Sequence, residues 1–490
     1  MSSRHRKPDD YEEFPQPFDA KKLAPAKKRQ RSTSPNAGGN ASASGDAARK
    51  LKRPGQRARV TDAEREVIRQ RALEREKHAQ QQAATAEQHQ RSAINDVVRA
   101  HYNAVPERGR EWRKTDSQIK GLRSFNNWVK SCIVQKFSPD EDHSPGAMER
   151  GASSGNRLLV LDIGCGKGGD LFKWQQAPQP VDLYVGLDPA EVSIEQARER
   201  YRSMSSRGGG GRGGRGGHHR RPPRIFDARF HVKDCFAESI GDLDIVRQVG
   251  FSSEKVSSSR GFDVVSMMFC MHYAFESEQK ARQMLKNVAG SLRKGGRFIG
   301  CIPNSDVISG KIAQFNEDME KKKKAKAAAA EAKASSSSPD GSASPADPES
   351  PTKEDGELEE GEEEEGEAEE TVHWENSIYR VRFPGPTPAD GIFRPPFGWK
   401  YNFFLSEAVE EVPEYVVPWE AFRALAEDYN LELQYHKPFG EVWETEKDDR
   451  ELGPLSERMG VRDRHTGDLN VSKEEFDAAS FYVAFCFYRV

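Results

Sequence analysis

Four segments of the chain are apolar at nearly every position: "RLLVLDI" (157–163), "VDLYVGL" (181–187), "FDVVSMMF" (262–269) and "GRFIGCI" (296–302). Strands covered on both faces read this way, because neither face meets water. A fifth segment, "ARFHV" (228–232), is shorter and mixed. Between these runs, helical patterns occur in "GGDLFKWQQA", "AEVSIEQARERYRSM" and "SEQKARQMLKNVAGSLRKGG". The last is expected to stop at its Gly-Gly pair after Arg293 and Lys294. Strand alternating with helix predicts an α/β fold, a doubly wound Rossmann-like sheet. Its ligand belongs outside the carboxyl ends of the strands, near the switch point.

Long stretches lack any such pattern. Residues 1–60 are rich in Ser, Ala, Pro and basic residues, with fifteen Lys/Arg against six Asp/Glu. They are expected to be disordered, and residues 61–90 to form a polar helical linker, so that the tail covers 1–91. The ordered domain, 92–490, starts at "INDVVRAHYN". Two inserts are expected to interrupt it. Residues 205–224 are Gly/Arg-rich and read either as a sequence-tolerant RNA contact or as a tolerated flexible loop. Residues 317–370 pass from Lys/Ala-rich to Ser/Pro-rich to an acidic block, with twelve Asp/Glu against one Lys over 353–370. Like-charged blocks repel themselves and stay solvated, so no core is expected there.

Composition excludes several classes. The chain has 490 residues, mean hydropathy −0.84 and no run of 18 apolar residues, so no membrane span is expected. Six scattered cysteines without CxxC spacing argue against zinc and for free thiols in a reducing compartment. The chain is therefore read as soluble and intracellular. "KKLAPAKKRQR" (21–31) and "RKLKRPGQR" (49–57) suit nuclear import, or are merely a solubilising tail.

The candidate chemistry lies in "LDIGCGKGGDL" (161–171). A phosphate loop needs Ser or Thr after the lysine, but Gly168 follows Lys167. The spacing Gly164, Gly166, Gly169 matches a dinucleotide loop, which by itself is weak evidence. Asp162, just before the loop, would crowd a pyrophosphate and would suit a cationic ligand. Asp188 ends the next strand, 22 residues after Gly166, where an acid binds ribose hydroxyls. Asp234 follows the third strand. A ligand with ribose, a cationic group and no phosphate is S-adenosyl-L-methionine. "DIGCGKGG…GLDPAEVSI" resembles the signature of Rossmann-like methyltransferases that use it.

A narrower resemblance follows. "FNNWVKS" (125–131), "LDIGCGKGGDL", "GLDPAEVS", "FCMHYAFES" (269–277), "VPEYVVP" (412–418) and "FYVAFCF" (481–487) occur in the order found in the eukaryotic mRNA cap guanine-N7 methyltransferases. The chain resembles that family over about residues 92–490, outside the inserts. The resemblance implies methyl transfer from S-adenosylmethionine to guanine N7 of a GpppN cap. Lys130, Gly164, Asp188, Asp234, Met268 and Tyr273 match its cofactor-contacting positions. Asn126, Asn127, Lys167, Lys173, Arg200, His272, Glu414 and Tyr482 match its cap side. Met268 departs from the metazoan pattern, which has Gln there, a side chain that hydrogen-bonds where a thioether does not.

The residue types agree with this. Lys167, Lys173 and Arg200 supply cations for a triphosphate. Tyr482, His272 and Glu414 supply a flat partner and a polar edge for a purine. Singly, the cations read as surface charges, Tyr482 as core and His272 as a structural hydrogen bonder. Guanine N7 carries no proton, so no catalytic residue is expected; with no Cys/His cluster, no metal is expected either. The implied partners are capped mRNA, RNA polymerase II and other capping enzymes; the chain is read as a nuclear monomer. A methyltransferase for another acceptor and an inactive RNA-processing adaptor remain the alternatives.

Overall fold

The computed structural model describes residues 96–104, 112, 115–139, 155–207, 225–251, 260–336 and 371–490. Its centre is a seven-stranded sheet of order β10-β11-β5-β4-β1-β2-β3. The strands are β1 (Leu158–Ile163), β2 (Val181–Asp188), β3 (Asp227–Val232), β4 (Phe262–Met268), β5 (Leu292–Pro303), β10 (Leu431–Pro438) and β11 (Tyr482–Arg489). β1 to β5 are parallel, and β11 and β10 close the edge antiparallel. The expected doubly wound α/β architecture is present. The order reverses at β1, between β2 and β4, which sets the crevice at their carboxyl ends.

Alternation along the strands feeds two cores. Leu158, Val160, Val264 and Ile299 face one side, with the helix Lys120–Phe137. Leu161, Ile163, Val265 and Phe298 face the other, with the helix Glu278–Ser291. Both faces are covered, which is why the strands are apolar throughout. In Lys120–Phe137, Phe125, Trp128, Val129 and Cys132 are buried at helical spacing. Trp128 Nε1 donates to the Leu452 carbonyl at 3.0 Å. That packing turns Asn127 and Lys130 toward the crevice.

A second, antiparallel sheet has order β6-β7-β8-β9. It comprises β6 (His373–Glu375), β7 (Tyr379–Arg382), β8 (Lys400–Leu405) and β9 (Val409–Tyr415). The hydrophobic pattern did not announce it. Its strands are short, and a Pro-rich connection separates β7 from β8. Val381, Tyr401 and Phe403 nonetheless join the first core.

Two local expectations are corrected. The helix Glu278–Ser291 ends before Arg293, and β5 begins at Leu292. The Gly-Gly pair lies inside β5, where the register against β4 shifts and Gly295 takes φ 76°. The segment 317–336 continues the helix Ser305–Ser336. Lys321 pairs with Glu317, and Lys324 with Glu320, one turn apart. Its side chains over 321–329 are exposed, so over that stretch it adds a helix and no core. Residues 205–207 complete the helix Glu191–Arg207. The tail 1–91, the basic clusters, 208–224 and 337–370 lie outside the described residues. The six cysteines are free thiols, and no described helix is long and apolar enough to cross a membrane.

Candidate active site

The loop after β1 turns back on Leu187, whose carbonyl accepts from Gly164 N at 2.8 Å and Cys165 N at 3.0 Å. Gly164 has φ 72°, and a Cβ there would sit 2.5 Å from Cys270 Sγ. Gly168 has φ 68°, and its Cβ would meet Leu171 Cδ1 at 2.7 Å. Both the left-handed backbone and the close approach exclude side chains here. The loop walls a cavity of about 450 Å³, which all six predicted cofactor positions line: Lys130, Gly164, Asp188, Asp234, Met268 and Tyr273.

Asp188 Oδ2 accepts from Gly166 N and Oδ1 from Ala190 N, each at 2.9 Å. Burial pushes its carboxyl up, while the two amides oppose that shift. Asp234 Oδ1 accepts from Phe236 N at 3.0 Å and Ala237 N at 3.1 Å. Each carboxylate is thus fixed by the backbone yet still lines the cavity. Met268 turns its thioether to Cys301, with Sγ to Sδ at 3.8 Å, and offers no strong side-chain hydrogen bond. An adenosine-sized cationic ligand fits this volume and a lining that carries the carboxylates of Asp188 and Asp234.

Lys130 reaches the cavity through an ion cluster that sequence reading missed. Lys130 Nζ and Lys173 Nζ each lie 2.8 Å from Asp170 Oδ1. Lys173 also donates to Asn127 Oδ1 at 2.8 Å. Burial pushes the Asp170 carboxyl up, but the two ammoniums overcome it and hold it well below the usual range. The motif "KGGDLFK" contains the only signal, an acid three residues before a lysine.

Asp162 does not serve as expected. Val160 and Asp162 share one face of β1, and the carboxyl, 2% exposed, lies under the sheet. It accepts from Tyr184 Oη and Ser266 Oγ, each at 2.5 Å. Burial, with the Asp170 charge, pushes it up to about 7. A raised carboxyl stabilises the fold fully below its unfolded value of 3.8, and that contribution is lost as pH rises through about 7. Asp162→Asn is therefore expected to flatten the fall in unfolding free energy between those pH values, measured by urea titration. An unchanged pH profile would show that Asp162 ionises as easily in the fold as in water.

The remaining cap-side candidates divide. Lys167 and Arg200 line the 450 Å³ cavity. Lys167, Lys173 and Asn127 line a wider adjoining cleft of about 1440 Å³. Asn126, His272, Glu414 and Tyr482 line neither. Of these, His272, within the Met271–Glu276 turn, Glu414 and Tyr482 are buried. Glu414 Oε1 lies 3.5 Å from His272 Nε2, and Glu414 Oε2 accepts from Tyr401 Oη at 2.8 Å. The register of β8 against β9 sets Tyr401 opposite Glu414. Tyr482 packs edge-on against Phe269, with ring centroids 4.7 Å apart. Both ring nitrogens of His272 and Asn126 Oδ1 are buried with no hydrogen-bond partner among the described residues. A buried polar atom without a protein partner calls for one from water, an ion or a ligand group.

Sequence reading also missed Phe269 and Tyr102. Phe269 lines the cavity with φ 64°, a strained value for an aromatic residue and a mark of functional sites. Tyr102, in the helical segment 96–104, meets Tyr273 hydroxyl to hydroxyl at 3.0 Å and walls both cavities. Burial, then the Glu414 charge, pushes its phenol up.

A family profile described as the mRNA (guanine-N(7))-methyltransferase domain matches residues 85–327 and 362–490. The mRNA cap guanine-N(7) methyltransferase of Pyricularia oryzae is 68% identical over 477 residues, covering 96% of this chain and 91% of that protein. The Neosartorya fischeri protein of the same name is 57% identical, covering 94% of this chain and 66% of its own length. That of Schizosaccharomyces pombe is 41% identical, covering 80% and 81%. With a profile spanning most of its length and relatives this similar, the chain belongs to the mRNA (guanine-N7) cap methyltransferase family.

Proposed function

We propose that the chain methylates N7 of the terminal guanine in GpppN-capped RNA, with the 450 Å³ cavity holding S-adenosylmethionine and the adjoining cleft receiving the cap. The observation that carries this reading is a shared wall. Tyr102, Gly166, Lys167, Gly169 and Ser193 line both spaces, so a methyl donor and a polyanionic acceptor meet at one loop.

When bound, S-adenosylmethionine supplies a methyl group on a cationic sulfur, which the proton-free lone pair of guanine N7 can accept without a base. The protein's part is to hold the reactants in line, an effect worth about 7–11 kcal/mol of the barrier. Asp188 and Asp234 receive the ribose and adenine ends. Lys130, steadied by Asp170, meets the methionine carboxylate. Lys167, Lys173 and Arg200 offset the triphosphate charge. Glu414, oriented by Tyr401, accepts from the guanine N1–H and amine, while His272 and Tyr482 bound the purine. These last residues line neither cavity, so side chains at that end of the site have to move for the guanine to reach them.

Single-turnover transfer of radiolabelled methyl to GpppA-capped RNA, followed by digestion, is expected to yield 7-methylguanosine. At saturation with both substrates its rate is expected to stay flat from about pH 6.5 to 9, because no side chain removes a proton. His272→Ala is expected to weaken capped-RNA binding without reshaping that profile. A wild-type rate climbing tenfold per pH unit below 7, lost in His272→Ala and rescued by imidazole, would mean proton abstraction and another acceptor atom.

On the same reading the protein works in the nucleus as a monomer, alongside RNA polymerase II and the other capping enzymes. The basic clusters at 21–31 and 49–57 support nuclear import.

A further inference from the structure

The wide cleft extends past the cations assigned to the cap. Its walls carry Lys120, Arg123, Arg450 and Arg458, against the carboxylates Glu407 and Glu451. Glu407 is engaged by Arg123 at 3.5 Å, Ser117 Oγ at 2.6 Å and Gln118 N at 2.9 Å. Lys120, Arg450 and Arg458 are exposed and, among the described residues, none has a carboxylate partner. On the same wall stands Phe172, 57% exposed and the one aromatic among the exposed large hydrophobics of the described residues. Its neighbour Leu171 is fully buried, so the short helix Leu171–Gln175 is anchored and holds the ring outward. At about 1440 Å³ the cleft exceeds the 300–1,000 Å³ usual for small-molecule pockets.

We infer that this cleft is the track for the transcribed nucleotides that follow the cap. Phe172 is the stacking platform for a base, and Lys120, Arg450 and Arg458 contact the phosphodiesters. The inference rests on the cap reading above. With the triphosphate at Lys167 and Lys173, the cleft is the continuation open to the chain that leaves it. Single-stranded nucleic acid is bound by this pairing of a cationic groove with an exposed aromatic face. An acidic polypeptide would use the cations and leave the ring idle in water.

The test uses the full chain and three acceptors: GTP, GpppA, and GpppA extended by five nucleotides. Wild-type KM is expected to fall along the series. Phe172→Ala is expected to remove about 5- to 150-fold of that gain per stacked base and to leave KM for GTP unchanged. Phe172→Trp is expected to restore the gain. Arg450→Ala with Arg458→Ala is expected to weaken binding of the extended RNA and reduce its log–log salt slope by about 0.7 per cation removed. Equal KM for GpppA and the extended RNA would overturn the track. So would a Phe172→Ala defect as large with GTP as with RNA. If the cleft variants leave RNA untouched but lose binding of a peptide matching residues 353–370, the occupant is an acidic segment and not RNA. Failure of the cap reading looks different: wild-type enzyme would not methylate GpppA at N7.

Discussion

Asp170→Ala is expected to destabilise the fold by about 3–5 kcal/mol, the range for removing one partner from a buried ion cluster. Lys130, Lys173 and Asp170 have side chains only 14%, 11% and 13% exposed. Without the carboxylate, two ammoniums face each other in a site with little water to screen them. A loss of that size is a large part of the roughly 5–15 kcal/mol that holds a domain together. The urea midpoint should drop with little change in slope. The pH dependence has a definite sign. Because the folded Asp170 carboxyl is depressed, its contribution is complete above the unfolded value of 3.8 and fades as pH falls toward the folded one. The gap between wild type and variant should therefore be widest near neutrality and narrow in acid. A variant within 1 kcal/mol of wild type, on the scale of an exposed pair, would show that the lysines swing out to water.

Asp188→Ala is expected to weaken S-adenosylmethionine binding by about 10- to 150-fold, from the 1.5–3 kcal/mol of one hydrogen bond to a charged group. The same carboxylate holds Gly166 N and Ala190 N at 2.9 Å, so its loss also frees the glycine loop at its centre. Calorimetry with S-adenosylmethionine measures the affinity directly. Asp188→Asn, of the same shape but without the charge, is expected to fall between the two. Wild-type affinity in Asp188→Ala would remove this residue from the site and leave the cavity without a ribose partner.

Legibility in the sequence followed the range of the interactions involved. β1 to β5 could be read because strands buried on both faces must be apolar along their whole length. The two turns of chain around Gly164 and Gly168 could be read because only glycine tolerates φ near +70° against Cys270 and Leu171. Asp188 and Asp234 stand at strand ends, positions that strand prediction supplies directly. Asp162 misled because being last but one in β1 decides its face, and period-two alternation sends it under the sheet with Val160. The Gly-Gly pair misled because a helix stop and a bulged strand use the same residues. The helix continuing to Ser336 was hidden by low complexity, although its Lys, Ala and Glu content favours helix.

The sequence by itself determined the fold class, the glycine loop and the family, since each depends on local periodicity, backbone sterics or ordered motifs. Only the tertiary structure decided which charges meet. Lys130 finds Asp170 from 40 residues away, Tyr102 finds Tyr273 from 171 away, and Glu414 finds Tyr401 and His272 through a sheet that the hydrophobic pattern never announced. Those contacts are set by how helix, sheet and loop pack across the crevice. Packing is a property of the whole core, and no window along the chain contains it.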